Sequence, residues 1–249
     1  MDPVSGHGDV VALITKSRSA PPPRLTLLAE GPRALYGLAE LVASRRALAG
    51  APRGGGEGVL LLPGLANVDL SNALLRRFLV KLGYRAEGWG LGQNRGLRTI
   101  GRDGERLFER IEAMAAAQGG PVALVGVSLG GIMARVAAGR RPDLVSRVVT
   151  IAAPFGGPPT ATNVWRVFEA LSGDAVGAPH VRAFMAEAAR PLTMPATAIW
   201  SRSDGFVNGF NCRPDTDTRC RSVEIRSSHL WVQMRAATFR AVADALAGD

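Results

Sequence analysis

Two cysteines, three histidines and two lysines are all that 249 residues hold of these types, and each scarcity closes off a class of function. Cys212 and Cys220 without a C-x-x-C pair cannot build a structural zinc site. No His, Cys and carboxylate set has metal-ligand spacing, and no glycine-rich loop matches a phosphate cradle, so neither a metal nor a cofactor is expected. Long apolar runs are missing too: no segment approaches the ~18 residues of a membrane span. The first apolar stretch, Val10-Val11-Ala12-Leu13-Ile14, is short, with acidic charge before it and Lys16 and Arg18 after it. A secretory leader has the reverse order, so a cytoplasmic location is expected.

The formal net charge of +9 comes almost wholly from arginine, because Lys16 and Lys81 are the only lysines. The arginines are scattered. Arg45-Arg46, Arg76-Arg77 and Arg140-Arg141 are separate pairs that suit solvated helix faces or ends. Nucleic-acid binders carry a dense basic stripe with interleaved aromatics, and here aromatics make up only 6% of the chain. Nucleic acid is therefore not an expected partner, whereas weak attraction to an anionic membrane surface is compatible with the charge. The two cysteines flank turn-formers such as Pro214-Asp215 in one polar loop. They are read as close enough to bridge in an oxidising compartment.

What is present begins with an arm. Residues 1–23 are polar and end in three prolines, which reads as a flexible segment. Apolar positions at helical spacing follow from Leu25 to Leu48, interrupted by Gly31-Pro32. Gly54-Gly55-Gly56 reads as a linker, giving an N-terminal arm and helical extension over 1–57 and a catalytic domain over 58–249. Strands and helices then alternate. Strands are expected at 59–62, 84–89, 122–127, 145–151, 196–200 and 222–225, with helices at 71–82, 103–117, from 131, and at 231–247. This order implies a mostly parallel sheet of about six strands covered by helices on both faces. A mixed segment at about 155–190 reads as a small cap insertion. Its Phe155, Trp165, Val167, Phe168, Phe184 and Met185 could line an acyl pocket or merely pack the insertion on the core. The glycine-rich loop 88–94 could form another wall.

The segment Gly126-Val127-Ser128-Leu129-Gly130-Gly131 joins the third strand to a small-residue helix. A serine there takes a strained backbone that lifts its hydroxyl above the sheet, and the flanking glycines avoid a clash. Reactive groups in open parallel sheets lie beyond the carboxyl ends of the strands. Ser128, Asp204 and His229 all fall there, after the third, fifth and sixth strands. His7, in the arm, and His180, in the insertion, read as surface residues. Asp215 and Asp217 are rivals to Asp204, but sit deeper in the polar loop and are expected to be exposed.

The order Ser, Asp, His is that of α/β-hydrolases. Over residues 58–247 the sequence resembles an α/β-hydrolase of the small bacterial esterase and lipase type. The resemblance is carried by Leu62-Pro63-Gly64-Leu65, by the Ser128 hexapeptide, by Ser201-Arg202-Ser203-Asp204-Gly205 and by Ser227-Ser228-His229. It implies that Ser128 is the nucleophile, His229 the base and Asp204 the acid that orients it. It also implies an oxyanion hole built from the backbone N–H groups of Leu65 and Leu129. Two positions depart from the pattern. Pro63 stands where many lipases have histidine, so the outer hydrogen bonds of that loop are expected to differ. Leu230-Trp231 is a bulkier continuation after the histidine.

The implied activity is hydrolysis of a small-molecule acyl ester through an acyl-enzyme. An acyltransferase or a thioesterase would use the same residues. A non-catalytic binding protein on this fold fits less well, since no triad position is lost.

Overall fold

The computed structural model describes residues 18–214, 217 and 219–248. Its centre is a six-stranded sheet of β1 (Gly58–Leu62), β2 (Arg85–Gly88), β3 (Val122–Val127), β4 (Val145–Ile151), β5 (Ala196–Trp200) and β6 (Cys220–Glu224). The strand order is β2-β1-β3-β4-β5-β6, and every neighbouring pair is parallel. Runs such as Gly58–Leu62 and Val122–Val127 are buried at every position. Such continuous burial is what a parallel sheet covered on both sides demands. The chain runs outward from β1 to β2, then returns across β1 to β3. The order therefore reverses between β1 and β3, where the following loops diverge and leave a crevice.

Helices α4 (Ala73–Lys81), α5 (Leu97–Ile100), α6 (Glu105–Gln118), α7 (Leu129–Arg140) and α10 (Ala236–Ala247) surround the sheet. Leu60, Leu62, Leu124 and Val148 meet Leu107, Ile111 and Met114 of α6 and the apolar residues of α7 on one face. Val59, Leu61, Val125 and Val149 meet Leu75 and Leu79 of α4 and Phe239 and Val242 of α10 on the other. Helix α7 is buried from Gly130 through Ala138, as suits a helix packed on all sides. Its buried cation, Arg135, lies over the Phe155 ring at 4.0 Å and donates to the carbonyls of Ala188 and Arg190. It thus ties α7 to the end of α9 (Pro179–Ala189), the second of two helices between β4 and β5; the first is α8 (Trp165–Ser172).

The N-terminal extension forms α1 (Arg24–Leu28), α2 (Glu30–Ala43) and α3 (Arg45–Leu48). The expected break at Gly31-Pro32 falls instead at Ala29. Gly31 and Pro32 occupy the first turn of α2, where proline's missing N–H has no intrahelical acceptor to lose. Leu41 and Leu48 join the same cluster as Val59 and Leu61, so the extension shares the sheet's core. Residues 18–23 also depart from a free arm. Asn211, Asn208 and Asn163 donate side-chain amides to the carbonyls of Arg18, Ala20 and Pro22, at 2.9, 2.9 and 3.2 Å. Residues 1–17, with His7, lie outside the described residues.

The last helix begins later than its apolar pattern implies. Trp231 has φ 59°, which no right-handed helix can continue, and a short 3-10 turn at Val232–Met234 intervenes. Among the described residues no helix is long and apolar enough to cross a membrane.

The two cysteines are free, buried thiols, which overturns the expected bridge. Cys212 packs with Trp200 at the carboxyl end of β5, while Cys220 pairs in register with Ala196 at its start. Four residues of strand separate those ends by about 13 Å, beyond disulfide reach. Burial pushes the Cys212 thiol well above its ordinary pKa, and burial likewise raises that of Cys220. Mass spectrometry of protein unfolded without reductant should find both thiols alkylated, after slow reaction in the native state. A species lacking two hydrogens, refractory to alkylation until reduced, would contradict this arrangement.

Candidate active site

Ser128 lies between β3 and α7 with φ 50° and ψ −118°, a conformation that a side chain with a Cβ rarely adopts. Its N–H donates to the Ile151 carbonyl at 2.8 Å, and its own carbonyl accepts from Gly131 at 2.9 Å. Glycines make the bend possible. A Cβ on Gly130 would sit 2.5 Å from the Leu62 carbonyl oxygen and 2.6 Å from that of Pro63. One on Gly131 would sit 2.6 Å from the Ala153 Cβ, and one on Gly126 would strike the Gly130 carbonyl. Gly126 and Gly130 are thus dictated by backbone meeting backbone, and Gly131 first by the Ala153 side chain.

The loop after β1 faces this elbow. Leu65 and Leu129 both border the crevice. The Leu129 N–H opens α7, one of the donors that a helix start leaves without an intrahelical acceptor. Among the described residues no hydrogen bond draws on the Leu65 N–H. Asn94, fully buried, braces the loop: its Nδ2 donates to the Pro63 carbonyl at 2.7 Å. Its backbone pairs with Ala66 and Asn67 at 2.8 and 2.9 Å, and Gln93 donates to the Ala66 carbonyl at 2.9 Å. The outer hydrogen bonds therefore come from the 88–94 loop.

Asp204 follows β5 and is buried. Its Oδ1 accepts the N–H groups of Phe206 and Val207, both at 2.9 Å, which aims Oδ2 at His229. The Oδ2 to Nδ1 distance is 2.7 Å, and His229 Nε2 lies 3.2 Å from Ser128 Oγ. With Nδ1 donating to a carboxylate, the neutral ring leaves Nε2 free to accept from the serine hydroxyl. Phe206 stacks on the imidazole, ring centroids 5.2 Å apart. Burial works against a charged His229; the charge and hydrogen bond of Asp204, with the charge of Glu30, outweigh it and raise the pKa above its ordinary value. Ser201 Oγ donates to the Ser227 carbonyl at 2.9 Å and accepts the Ser227 N–H at 3.1 Å, joining the acid and histidine loops.

Ser128, Asp204 and His229 thus come together in one hydrogen-bonded row. Asp215 lies outside the described residues. Asp217 is half-buried rather than exposed, its charge acting on Arg135 and Cys220 rather than on His229. His180 bonds Asp174 at 3.0 Å on the insertion's surface.

From Ser128 an apolar cleft extends under the β4–β5 insertion. Trp165, Phe168, Phe184 and Met185 line it, with Ile132, Met133 and Val181. The other two insertion residues do not: Phe155 is buried beneath Arg135, and Val167 is 49% exposed. Sequence reading missed Glu30, Arg33, Asn94 and Phe206. Only Asn94 left a signal, as a polar residue closing a glycine-rich loop.

A family model described as the alpha/beta hydrolase fold matches residues 102–172, the stretch carrying the elbow. Solved structures agree over most of the chain. A monoacylglycerol lipase from Paleococcus ferrophilus aligns with TM-score 0.55 and 18% identity, over 77% of this chain and 95% of that one. A thioesterase domain from the curacin biosynthetic pathway aligns with TM-score 0.52 and 16% identity, over 78% and 92%. Epoxide hydrolase A from Mycobacterium thermoresistibile aligns with TM-score 0.54 and 18% identity, over 80% and 93%. No curated protein matches by sequence. The chain has the α/β-hydrolase fold.

Because the atoms facing Gly130 are backbone carbonyls, they cannot yield to a methyl group. Gly130→Ala should cost ~3 kcal/mol or more of stability, measured by denaturant unfolding. An unchanged midpoint would show that the elbow tolerates a wider approach.

Proposed function

We propose that this chain is a serine hydrolase that cleaves carboxylic esters of apolar acyl groups through an acyl-enzyme. The observation that carries the reading is the row from Asp204 through His229 to Ser128, ending at the mouth of an apolar cleft. Ser128 Oγ attacks the acyl carbonyl carbon while His229 Nε2 takes its proton. Negative charge then gathers on the former carbonyl oxygen, where the N–H groups of Leu65 and Leu129 are available to receive it. Asp204 holds the imidazole's tautomer and offsets its new positive charge. As the intermediate collapses, the imidazolium returns the proton to the departing alkoxide, and the acyl group stays on Ser128. A water molecule, deprotonated by the same imidazole, releases the acid and restores the serine.

The cleft supports an apolar acyl group because its walls come almost wholly from aliphatic, aromatic and methionine side chains. The segment at about 155–190 acts as the cap: α8 and α9 supply the far wall. Residues 58–249 form the catalytic domain, and the extension over 1–57 precedes it. Thioesters present the same carbonyl to the same groups.

Ser128→Ala should abolish both fluorophosphonate labelling and ester turnover; turnover that persists would contradict the mechanism. The base must be neutral, so kcat/KM should fall on acidification through the pKa of His229. That pKa is raised, so the acid limb should lie above the ordinary histidine value of about 6.5. A flat profile down to about pH 4 would remove His229 from its role.

Trp165→Ala and Phe168→Ala should change relative rates across an ester chain-length series by about tenfold. Val167→Ala, on the exposed side of α8, should leave the series unchanged. Parental profiles in the first two variants would reduce those residues to packing.

A further inference from the structure

Glu30 is a buried carboxylate outside the row just described, 3% exposed and, among the described residues, hydrogen-bonded to no arginine or lysine. Its hydrogen-bond partners among the described residues are backbone N–H groups. Oε1 accepts the N–H groups of Gly205 at 2.8 Å and His229 at 2.9 Å, and Oε2 accepts that of Leu230 at 2.7 Å. One oxygen therefore joins the residue after Asp204 to the histidine itself. Arg33, one turn further along α2, grips the same two loops from the carbonyl side. Its Nη1 donates to the Ser203 carbonyl at 2.6 Å, and its Nη2 to Ser203 Oγ at 2.7 Å and to the Ser227 carbonyl at 2.5 Å.

The acid loop is shaped to receive the extension. A Cβ on Gly205 would lie 2.5 Å from the Thr26 carbonyl oxygen and 2.9 Å from Glu30 Cγ. Gly205 thus allows more than a local turn: it lets α1 and α2 close onto the loop. Asn163 Nδ2 bonds both the Gly205 carbonyl, at 2.8 Å, and the Pro22 carbonyl.

We propose that the N-terminal extension completes the catalytic centre, with Glu30 and Arg33 as positioning residues that hold the Asp204 and His229 loops at a fixed separation. The inference rests on the serine-hydrolase reading. Its physical basis is length. The side chains of Asp204 and His229 leave different strand ends and must meet within hydrogen-bond reach. A displacement of about 1 Å in such a pair can cost 10²-fold in rate. A carboxylate is suited to the task because it only accepts, and three converging N–H groups leave it no choice of orientation. Glutamine would turn an amide NH₂ towards at least one of those donors.

Charge gives a second readout. The groups facing His229 are Asp204 from the acid loop, Glu30 from α2, the Ser128 hydroxyl and the uncharged ring of Phe206. Arg33 lies beyond the carbonyls of Ser203 and Ser227, and the Cys212 thiol lies beside Asp204. Neutralising Glu30 removes one of the charges that favour imidazolium.

The test uses the full chain. Glu30→Gln should lower kcat at least about tenfold with KM within about twofold, and move the acid limb of kcat/KM to lower pH. Glu30→Asp, which keeps the charge but loses reach, should lower kcat and leave the acid limb in place. Glu40→Gln serves as control, since Glu40 anchors the same helix through Arg235 at 2.7 Å; it should leave kcat and the limb unchanged. NMR titration of the His229 ring, assigned with a His229→Gln variant, needs no substrate. It should show a lower pKa in Glu30→Gln whether or not esters prove to be the substrate, which separates this inference from the hydrolase reading. Parental kcat or a parental ring titration in Glu30→Gln overturns the proposal. If that variant does not fold, Arg33→Gln carries the kcat test: a fall of about tenfold supports it and parental kcat overturns it.

Discussion

Three strands of backbone, the ends of β1 and β3 and the start of α7, approach one another at Ser128 more closely than any Cβ permits. Gly126, Gly130 and Gly131 remove the atoms that would hold them apart, and the left-handed conformation of Ser128 follows from that convergence. Its consequences spread outward. The first turn of α7 lies beside the loop after β1, so Leu129 and Leu65 border one crevice. Because β1 and β3 flank the point where strand order reverses, the crevice has room to deepen into a cleft. Strain at a single serine is stable here because fixed backbone determines it on every side.

The remaining groups are held by polar contacts rather than by strain. Asp204 is aimed by the two N–H groups that its other oxygen accepts. The hydroxyls of Ser201 and Ser203, which look incidental in sequence, join their loop to the Ser227 backbone beside His229. Glu30 and Arg33 join the pair to α2. Buried polar groups of this kind are costly unless satisfied, and in exchange their directional bonds fix geometry as apolar packing does not. The division is consistent: Ser128 is set by sterics, and Asp204 and His229 by hydrogen bonds.

Much of this was legible in the residues. Val122-Ala123-Leu124-Val125 and Val59-Leu60-Leu61-Leu62 announce buried strands because both faces of each are covered. Ser128 announces itself by its glycines. Ser128, Asp204 and His229 could be aligned from chain order and strand ends, since topology alone carries those ends to one edge of the sheet. What stayed hidden depends on contacts between distant segments. Nothing near Glu30 marks it as the acceptor for His229, 199 residues away. Gly31-Pro32 reads as a break because local propensity gives no sign of whether a proline begins or interrupts a helix. The paired cysteines looked bridged because sequence distance is short; strand register puts them at opposite ends of β5. Phe206 gives no sign in sequence that its ring will lie on the imidazole.

Central to the account is a covalent bond between Ser128 Oγ and an acyl group. Acid quenching during turnover of an aryl ester, followed by peptide mass spectrometry, looks for that bond directly. The expected result is an acyl mass increment on the peptide containing Ser128, formed during the burst and lost as the reaction ends. Turnover with no increment on that peptide, or with the acyl group on another residue, would contradict it.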